Sequence, residues 1–402
     1  MTISIKELTN HSYVDHQLSA TLDSTEAFEG PEKLLEIWFY PQPSDIPTNA
    51  KGEKVTLRSI PVEKWVSILN LVKCEILSSK STTLMDAFLL SESSLFVYDH
   101  RLTLKTCGTT TTLLCLPYLF EIIKEDLGWD FKNLDEDKMS PFKVFYSRRA
   151  FMFPSKQKSI HKNWSDEVEY LNNFFCNGKA YVVGRYDERK HWNLYVTDTR
   201  TDIGHISDDD DETLEILMTG LNHDCADQFV SNRIITNEQK ITDKKPEDDA
   251  DDEGHLLGYN MTRKTGLDNI YLNDSKSAFH HDAFAFSPCG YSSNMILDNQ
   301  YYYTLHITPE KGWSYASFES NVPVSKISNN KQDNVDVLMK VLDVFKPDEF
   351  CLTFFSKIES NTNFQKLLAF SKMIPDYKKK DKLVYDLEDY QLLFISFEHK
   401  KD

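Results

Sequence analysis

The chain has 402 residues, 40% of them hydrophobic and 12% aromatic, enough for a large core in two ordinary domains or one wide multi-layer domain. Its formal charge of −18 argues against a general nucleic-acid binder, which presents a basic face to phosphates. Much of that excess is local, at 208–211 and 247–253, although a cationic ligand would also suit it. No apolar run reaches the ~20 residues that span a bilayer. The opening Met1-Thr2-Ile3-Ser4-Ile5-Lys6 lacks the basic and apolar regions of a secretory signal. A cytoplasmic enzyme without membrane attachment is the expectation. Cys74, Cys107, Cys115, Cys176, Cys225, Cys289 and Cys351 are odd in number and widely spaced, with no C-x-x-C, so reduced thiols are expected and no metal site.

Residues 1–26 are polar and aperiodic and read as a flexible extension. The segment 31–38 reads as a short helix opening on Pro31, with Glu29 and Glu32 near its positive end. A second helix at 61–71 carries the stripe Trp65, Ile68, Leu69 and Leu71. The apolar run 87–90 leads into Ser91-Glu92-Ser93-Ser94, a strand at 95–97, a turn at 98–101 and a strand at 102–106. Helices are predicted over 113–123, 164–175, 213–221 and 335–345. A hairpin is predicted from 180–186 and 192–197, with further strands at 301–308, 313–318, 350–355 and 391–397. The stretch 237–255 is charged, nearly free of apolar groups, and reads as an exposed acidic insert. Interleaved helices and antiparallel hairpins point to an α+β fold with helices packed on sheet faces.

The chemistry concentrates at Glu92-Ser93. A serine can attack the carbonyl that precedes it, and the Cys107 thiol on the same hairpin can move protons. Ser93 and Cys107 are 14 positions apart around a turn, and so are Ser292 and His306. Each pair would face across its hairpin, which suggests a duplicated unit, although a chance echo is equally compatible. Taken singly, Ser-Glu-Ser is a polar strand end, Cys107 a small buried residue and His306 an ordinary strand histidine.

Seven short segments, in order along the chain, carry a resemblance. They are Phe28-Glu29-Gly30-Pro31-Glu32-Lys33-Leu34-Leu35-Glu36, Leu90-Ser91-Glu92-Ser93-Ser94, Lys105-Thr106-Cys107-Gly108-Thr109-Thr110, Phe145-Tyr146-Ser147-Arg148, Thr213-Leu214-Glu215-Ile216-Leu217-Met218, Pro288-Cys289-Gly290-Tyr291-Ser292 and His306-Ile307-Thr308-Pro309-Glu310. Together they resemble the S-adenosylmethionine decarboxylase proenzymes of fungi and animals. The resemblance implies a four-layer αββα sandwich of two antiparallel sheets with helices on the outer faces, internally duplicated, in one domain at 27–402. It also implies self-cleavage between Glu92 and Ser93 into chains 1–92 and 93–402. The Ser93 hydroxyl attacks the Glu92 carbonyl, the ester loses its α-proton and eliminates, and hydrolysis leaves ammonia and a pyruvoyl group.

By the same resemblance, Ser292 hydrogen-bonds the cyclic intermediate, His306 is the base for the α-proton, and Cys107 returns a proton to the substrate. Glu29 and Glu32 lie near the reacting centre. The pyruvoyl group forms a Schiff base with S-adenosylmethionine and replaces pyridoxal phosphate as electron sink. Phe28 and Phe286 sandwich the adenine, Leu90 and the Glu92 backbone contact it, and Glu310 binds the ribose. Glu36, Asp211, Thr213, Glu215 and Glu319 match a putrescine pocket, which Lys105, Phe145, Ser147 and Arg148 link to the active site. Putrescine activation and a homodimer of processed protomers follow as expectations. The competing readings are a regulator that keeps the fold without activity and an interaction module built on the acidic insert.

Overall fold

The computed structural model describes residues 29–49, 51–186, 190–204, 211–231, 253–272, 278–358, 362–370 and 374–400. The expected extension at 1–26 lies outside them, as does the acidic insert up to residue 252. Its last three residues do not continue a charged loop; they open the helix Glu253–Thr265. The chain divides into two compact units, Pro31–Ser207 and Asp208–Asp402, the latter with the segment that ends at Gly30.

The strands of the first unit are β1 (Lys33–Trp38), β2 (Ile76–Ser81), β3 (Met85–Leu90), β4 (Ser93–Tyr98), β5 (Arg101–Thr106), β6 (Lys132–Asn133), β7 (Lys138–Met139), β8 (Lys143–Arg149), β9 (Gly178–Val183) and β10 (Trp192–Thr197). β6 and β7 form a small two-stranded sheet, and the other eight form one sheet in the order β2-β3-β4-β5-β1-β8-β10-β9. The helix expected at 31–38 is therefore β1, a strand antiparallel to both β5 and β8. Such a central strand is largely buried on both faces. It lacks the apolar-polar alternation of a half-exposed strand, so the helix-start residues around Pro31 prevailed in the reading.

The helix Val62–Val72 buries Trp65, Ile68 and Leu69 as expected, but Val72 completes its stripe while Leu71 is exposed. The helix expected at 113–123 is a 3-10 turn, Thr112–Cys115, running into the helix Leu116–Ile122. Helix Trp164–Phe174 follows the sequence reading.

The second unit holds β11 (Glu212–Thr219), β12 (Phe279–Ala285), β13 (Tyr291–Leu297), β14 (Tyr301–Thr308), β15 (Tyr315–Ser320), β16 (Glu349–Lys357), β17 (Tyr377–Leu387) and β18 (Tyr390–His399). They pair in the order β12-β13-β14-β15-β11-β16-β18-β17. The helix expected at 213–221 is β11, again the central strand that pairs on both sides, with β15 and β16.

Place by place, the two sheets have the same order, so the fold is internally duplicated. The repeated spacing of 14 does not trace that duplication. Sheet order matches β4-β5 to β14-β15, whereas Ser292 and His306 sit on β13-β14.

One face of the second sheet is apolar. Leu214, Ile216, Leu305, Phe318 and Leu352 pack with Val337, Leu338, Val341 and Leu342 of the helix Asn334–Phe345. Full burial of each such side chain stabilises by roughly 1.5–3 kcal/mol. Alternation sends Glu215, Ser292, Asn294, Thr304, His306 and Glu319 to the other face, and all of them are buried. No described helix is long and apolar enough to cross a membrane.

Candidate active site

Ser91 and Glu92 form the two-residue connection between β3 and β4, where Leu90 pairs with Ser93. The Glu92-Ser93 bond thus sits at a tight turn, and β4 begins with the serine. Ser93 has φ = 127°, in a region that favours glycine. Holding a side-chain-bearing residue there costs roughly 1–3 kcal/mol and persists only where the surroundings enforce it. Here the enforcement is pairing on both sides, to Leu90 of β3 and to Thr106 of β5. On the other flank, the Ser91 amide donates to the Glu75 carbonyl at 2.8 Å, and the Glu75 amide donates to Ser91 Oγ at 3.0 Å.

Cys107 lies one residue beyond the position expected for it. Thr106, not Cys107, stands opposite Ser93, so Cys107 faces Glu92. Its amide donates to the Glu92 carbonyl oxygen at 2.9 Å, and its Sγ donates to the same oxygen at 3.4 Å. Two donors therefore converge on the carbonyl of the Glu92-Ser93 bond. Charge that develops on that oxygen during attack has preformed partners.

Burial pushes the Glu92 carboxyl up to about 8, against the opposing pull of the Lys33 ammonium. Burial also raises the Cys107 thiol well above its ordinary value, with Glu92 and Glu32 adding to the effect. At neutral pH the thiol keeps its proton, which suits a proton donor and not a thiolate nucleophile. Lys33 is a member of this centre that the sequence reading missed. It is fully buried, and its Nζ donates to the Gly108 carbonyl at 3.3 Å. Nothing in the sequence separates this lysine from a surface one except its place on what proves to be a central strand.

Within the same unit, Lys105 Nζ and Glu32 Oε1 form a buried ion pair at 3.8 Å. Leu34 stands opposite both Lys105 and Ser147, and Glu36 opposite Phe145, so Glu36, Lys105, Phe145 and Ser147 share one face of the sheet. Arg148 falls on the other face and does not join them; its Nε donates to Glu167 Oε2 at 2.7 Å. Glu36 already has local partners, accepting from Trp38 Nε1 at 2.5 Å and from Arg101 Nη1 at 3.5 Å.

In the second unit, Ser292 and His306 are direct cross-strand partners. His306 Nδ1 and Ser292 Oγ are 2.9 Å apart, and Thr304 Oγ1 lies 2.9 Å from His306 Nε2. The ring is thereby oriented by hydrogen bonds at both nitrogens. Glu215 and Glu319 are also direct cross-strand partners, both buried. Tyr302 OH donates to Glu319 Oε1 at 3.0 Å, and Thr353 Oγ1 donates to Glu215 Oε2 at 3.3 Å. Two buried carboxyls side by side are costly unless a cation or a shared proton compensates them. Thr213 lies two residues before Glu215 on the same face of β11, and Asp211 Oδ2 accepts from Tyr390 OH at 2.6 Å.

Phe286 is half-buried and packs edge-on against Phe284, with ring centroids 5.0 Å apart. Glu310 Oε2 accepts from Trp313 Nε1 at 2.9 Å. Glu29 and Leu90 are buried, and Phe28 lies outside the described residues. Among the described residues, no group of three or more His, Cys, Asp or Glu is placed to hold a metal ion.

Comparison with known proteins bears on the family and the fold. The family model for adenosylmethionine decarboxylase matches residues 25–398. An S-adenosylmethionine decarboxylase proenzyme of Saccharomyces cerevisiae is 59% identical over 406 aligned positions, covering 100% of both chains. One from Xenopus laevis is 36% identical over 92% of this chain and 95% of the relative. The crystal structure of a Trypanosoma brucei AdoMetDC-delta26 monomer superposes with a TM-score of 0.51 at 21% identity, covering 76% of this chain and 99% of that one. That likeness bears on the fold alone.

Proposed function

This chain belongs to the adenosylmethionine decarboxylase family, and from that premise we propose that it decarboxylates S-adenosylmethionine with a pyruvoyl group made from its own Ser93. The observation that carries the reading is the convergence of the Cys107 amide and thiol on the Glu92 carbonyl, beside a serine held at φ = 127°. The residues present fit the group. The precursor hydroxyl is next to the carbonyl that it must attack, and that carbonyl is polarised by two donors.

Self-cleavage begins when the Ser93 Oγ adds to the Glu92 carbonyl carbon and the oxygen gains charge facing Cys107. Collapse breaks the C–N bond, leaving the Glu92 acyl group as an ester on Ser93 and a free amine. Loss of the Ser93 α-proton expels the Glu92 carboxylate, and hydrolysis of the resulting enamine releases ammonia. We assign the proton abstraction to His306, an imidazole oriented by hydrogen bonds at both nitrogens, and the holding of the cyclic adduct to Ser292. The products are chains 1–92 and 93–402.

A pyruvoyl carbonyl at position 93 supplies the electrophile for the substrate amine and the sink for electrons released with carbon dioxide. Cys107, kept protonated by burial, delivers the proton to the substrate α-carbon. Phe286 and Glu310 receive the adenine and ribose. Putrescine is proposed as activator because Glu215 and Glu319 are buried cross-strand neighbours on one face of the sheet, an acidic lining suited to a diamine. A cytoplasmic homodimer completes the proposal.

The test is direct. The wild-type chain should run as two fragments on a denaturing gel, and the larger should have the mass of a terminus lacking an amine. Ser93→Ala should remain one inactive chain; a cut product from that variant would sink the mechanism.

A further inference from the structure

Gly108 follows Cys107, and its carbonyl is gripped twice. Gln157 Nε2 donates to it at 3.1 Å and Lys33 Nζ at 3.3 Å, while Gln157 Oε1 accepts from the same ammonium at 3.5 Å. The three groups close a ring of hydrogen bonds in the interior, where Lys33 is fully buried and Gln157 is 2% exposed. On the other side, Thr110 Oγ1 donates to the Cys107 carbonyl at 2.7 Å and lies 3.0 Å from the Thr106 hydroxyl. Gly108 itself has φ = 61°, which glycine adopts without steric penalty. Glycine adds little stiffness of its own, so the peptide planes on either side of it are set by whatever bonds their oxygens.

We infer that Gln157 is a positioning residue for Cys107. Through the Gly108 carbonyl, and by fixing the Lys33 ammonium, it holds the Cys107 amide on the Glu92 carbonyl and keeps the thiol beside position 93. It lies 49 positions from Gly108, in the loop after the 3-10 turn Pro154–Lys156, so no motif connects the two. The inference rests on the reading that Cys107 acts in self-cleavage and in proton return.

The experiment compares full-length wild type, Gln157→Leu and Gln157→Glu. The readouts are the time course of self-cleavage, the steady-state decarboxylation and the mass of the large fragment's terminus after turnover. Leucine fills similar space and removes both hydrogen bonds; glutamate keeps an acceptor for Lys33 but loses the donor to Gly108. Both variants should cleave on the order of ten-fold more slowly. Their KM should stay close to that of wild type, and a larger share of turnovers should end with an amine at the terminus, the product of misdirected protonation.

Wild-type cleavage and wild-type partitioning in both variants would overturn the inference. So would a lowered melting temperature with normal cleavage by the folded protein, or failure of both variants to fold, since either would mean a packing role. Wild type that remains uncut is a separate outcome and removes the underlying reading instead.

Discussion

At the scale of single residues, Ser93 is constrained in two ways that substitutions separate. Its hydroxyl is the attacking group of the proposed self-cleavage, and its backbone occupies a conformation at φ = 127° that suits glycine. Ser93→Gly and Ser93→Ala should both stay uncut. The glycine variant should be more resistant to urea by about 1 kcal/mol, because relief of strain outweighs the added unfolded-state entropy. Equal stability of the two would mean that the turn imposes no strain.

Glu92 makes a second prediction. Its carboxyl, ordinarily near 4.5, is pushed up to about 8 in the folded precursor. Between those values the folded chain binds more protons than the unfolded one. The contribution of Glu92 to stability is therefore most favourable below about 4.5, falls as pH rises through the window, and levels off above about 8. In an uncut Ser93→Ala background, Glu92→Gln should gain stability over Glu92 as pH rises from about 4.5 to about 8, by roughly 5 kcal/mol at most. A difference independent of pH would show that the carboxyl is solvated. The reactive residue types at Ser93 and Cys107 were legible in sequence. Their one-residue offset was not, because register depends on pairing and turn length, nor was the buried grip of Lys33 and Gln157.

At the scale of elements, the misread segments share a cause. β1 and β11 are the strands flanked on both sides at the middle of their sheets, with burial on both faces. A half-exposed strand shows a period of two, but a two-sided one shows only a short apolar run, which helix-start residues can claim. Strands with regular aromatic and β-branched patterns, such as β14 and β18, were read correctly. The polar face of the second sheet was hidden for the same reason: Glu215 and Glu319 are far apart in sequence and meet only through the β11-β15 register. Glu319→Gln keeps the shape of that side chain and removes one of the two carboxyls. Added putrescine should raise the wild-type midpoint and rate but leave the variant nearly unchanged. An equal response in both would move the diamine away from this pair.

At the scale of the whole molecule, the place of the proposed cut within the first sheet decides what cleavage would do to the protein. A break at 92/93 leaves β1, β2 and β3 on the small fragment, and β4, β5 and β8 on the large one. β3 then pairs with β4 across the break, and β1 remains inserted between β5 and β8. Each of these three seams runs over six residue pairs. At about 0.5–1.5 kcal/mol net per hydrogen bond, with apolar burial in addition, they exceed the ~8 kcal/mol that corresponds to micromolar dissociation. Cutting should thus free a chain end for chemistry without releasing either piece. The processed protein should elute from a sizing column as one species containing both fragments, and it should come apart only in urea strong enough to unfold the sheet. Appearance of the 1–92 fragment alone in plain buffer would mean that β1 is not locked between its neighbours. The position of the self-cleavage turn would then have to be explained without the sheet that surrounds it.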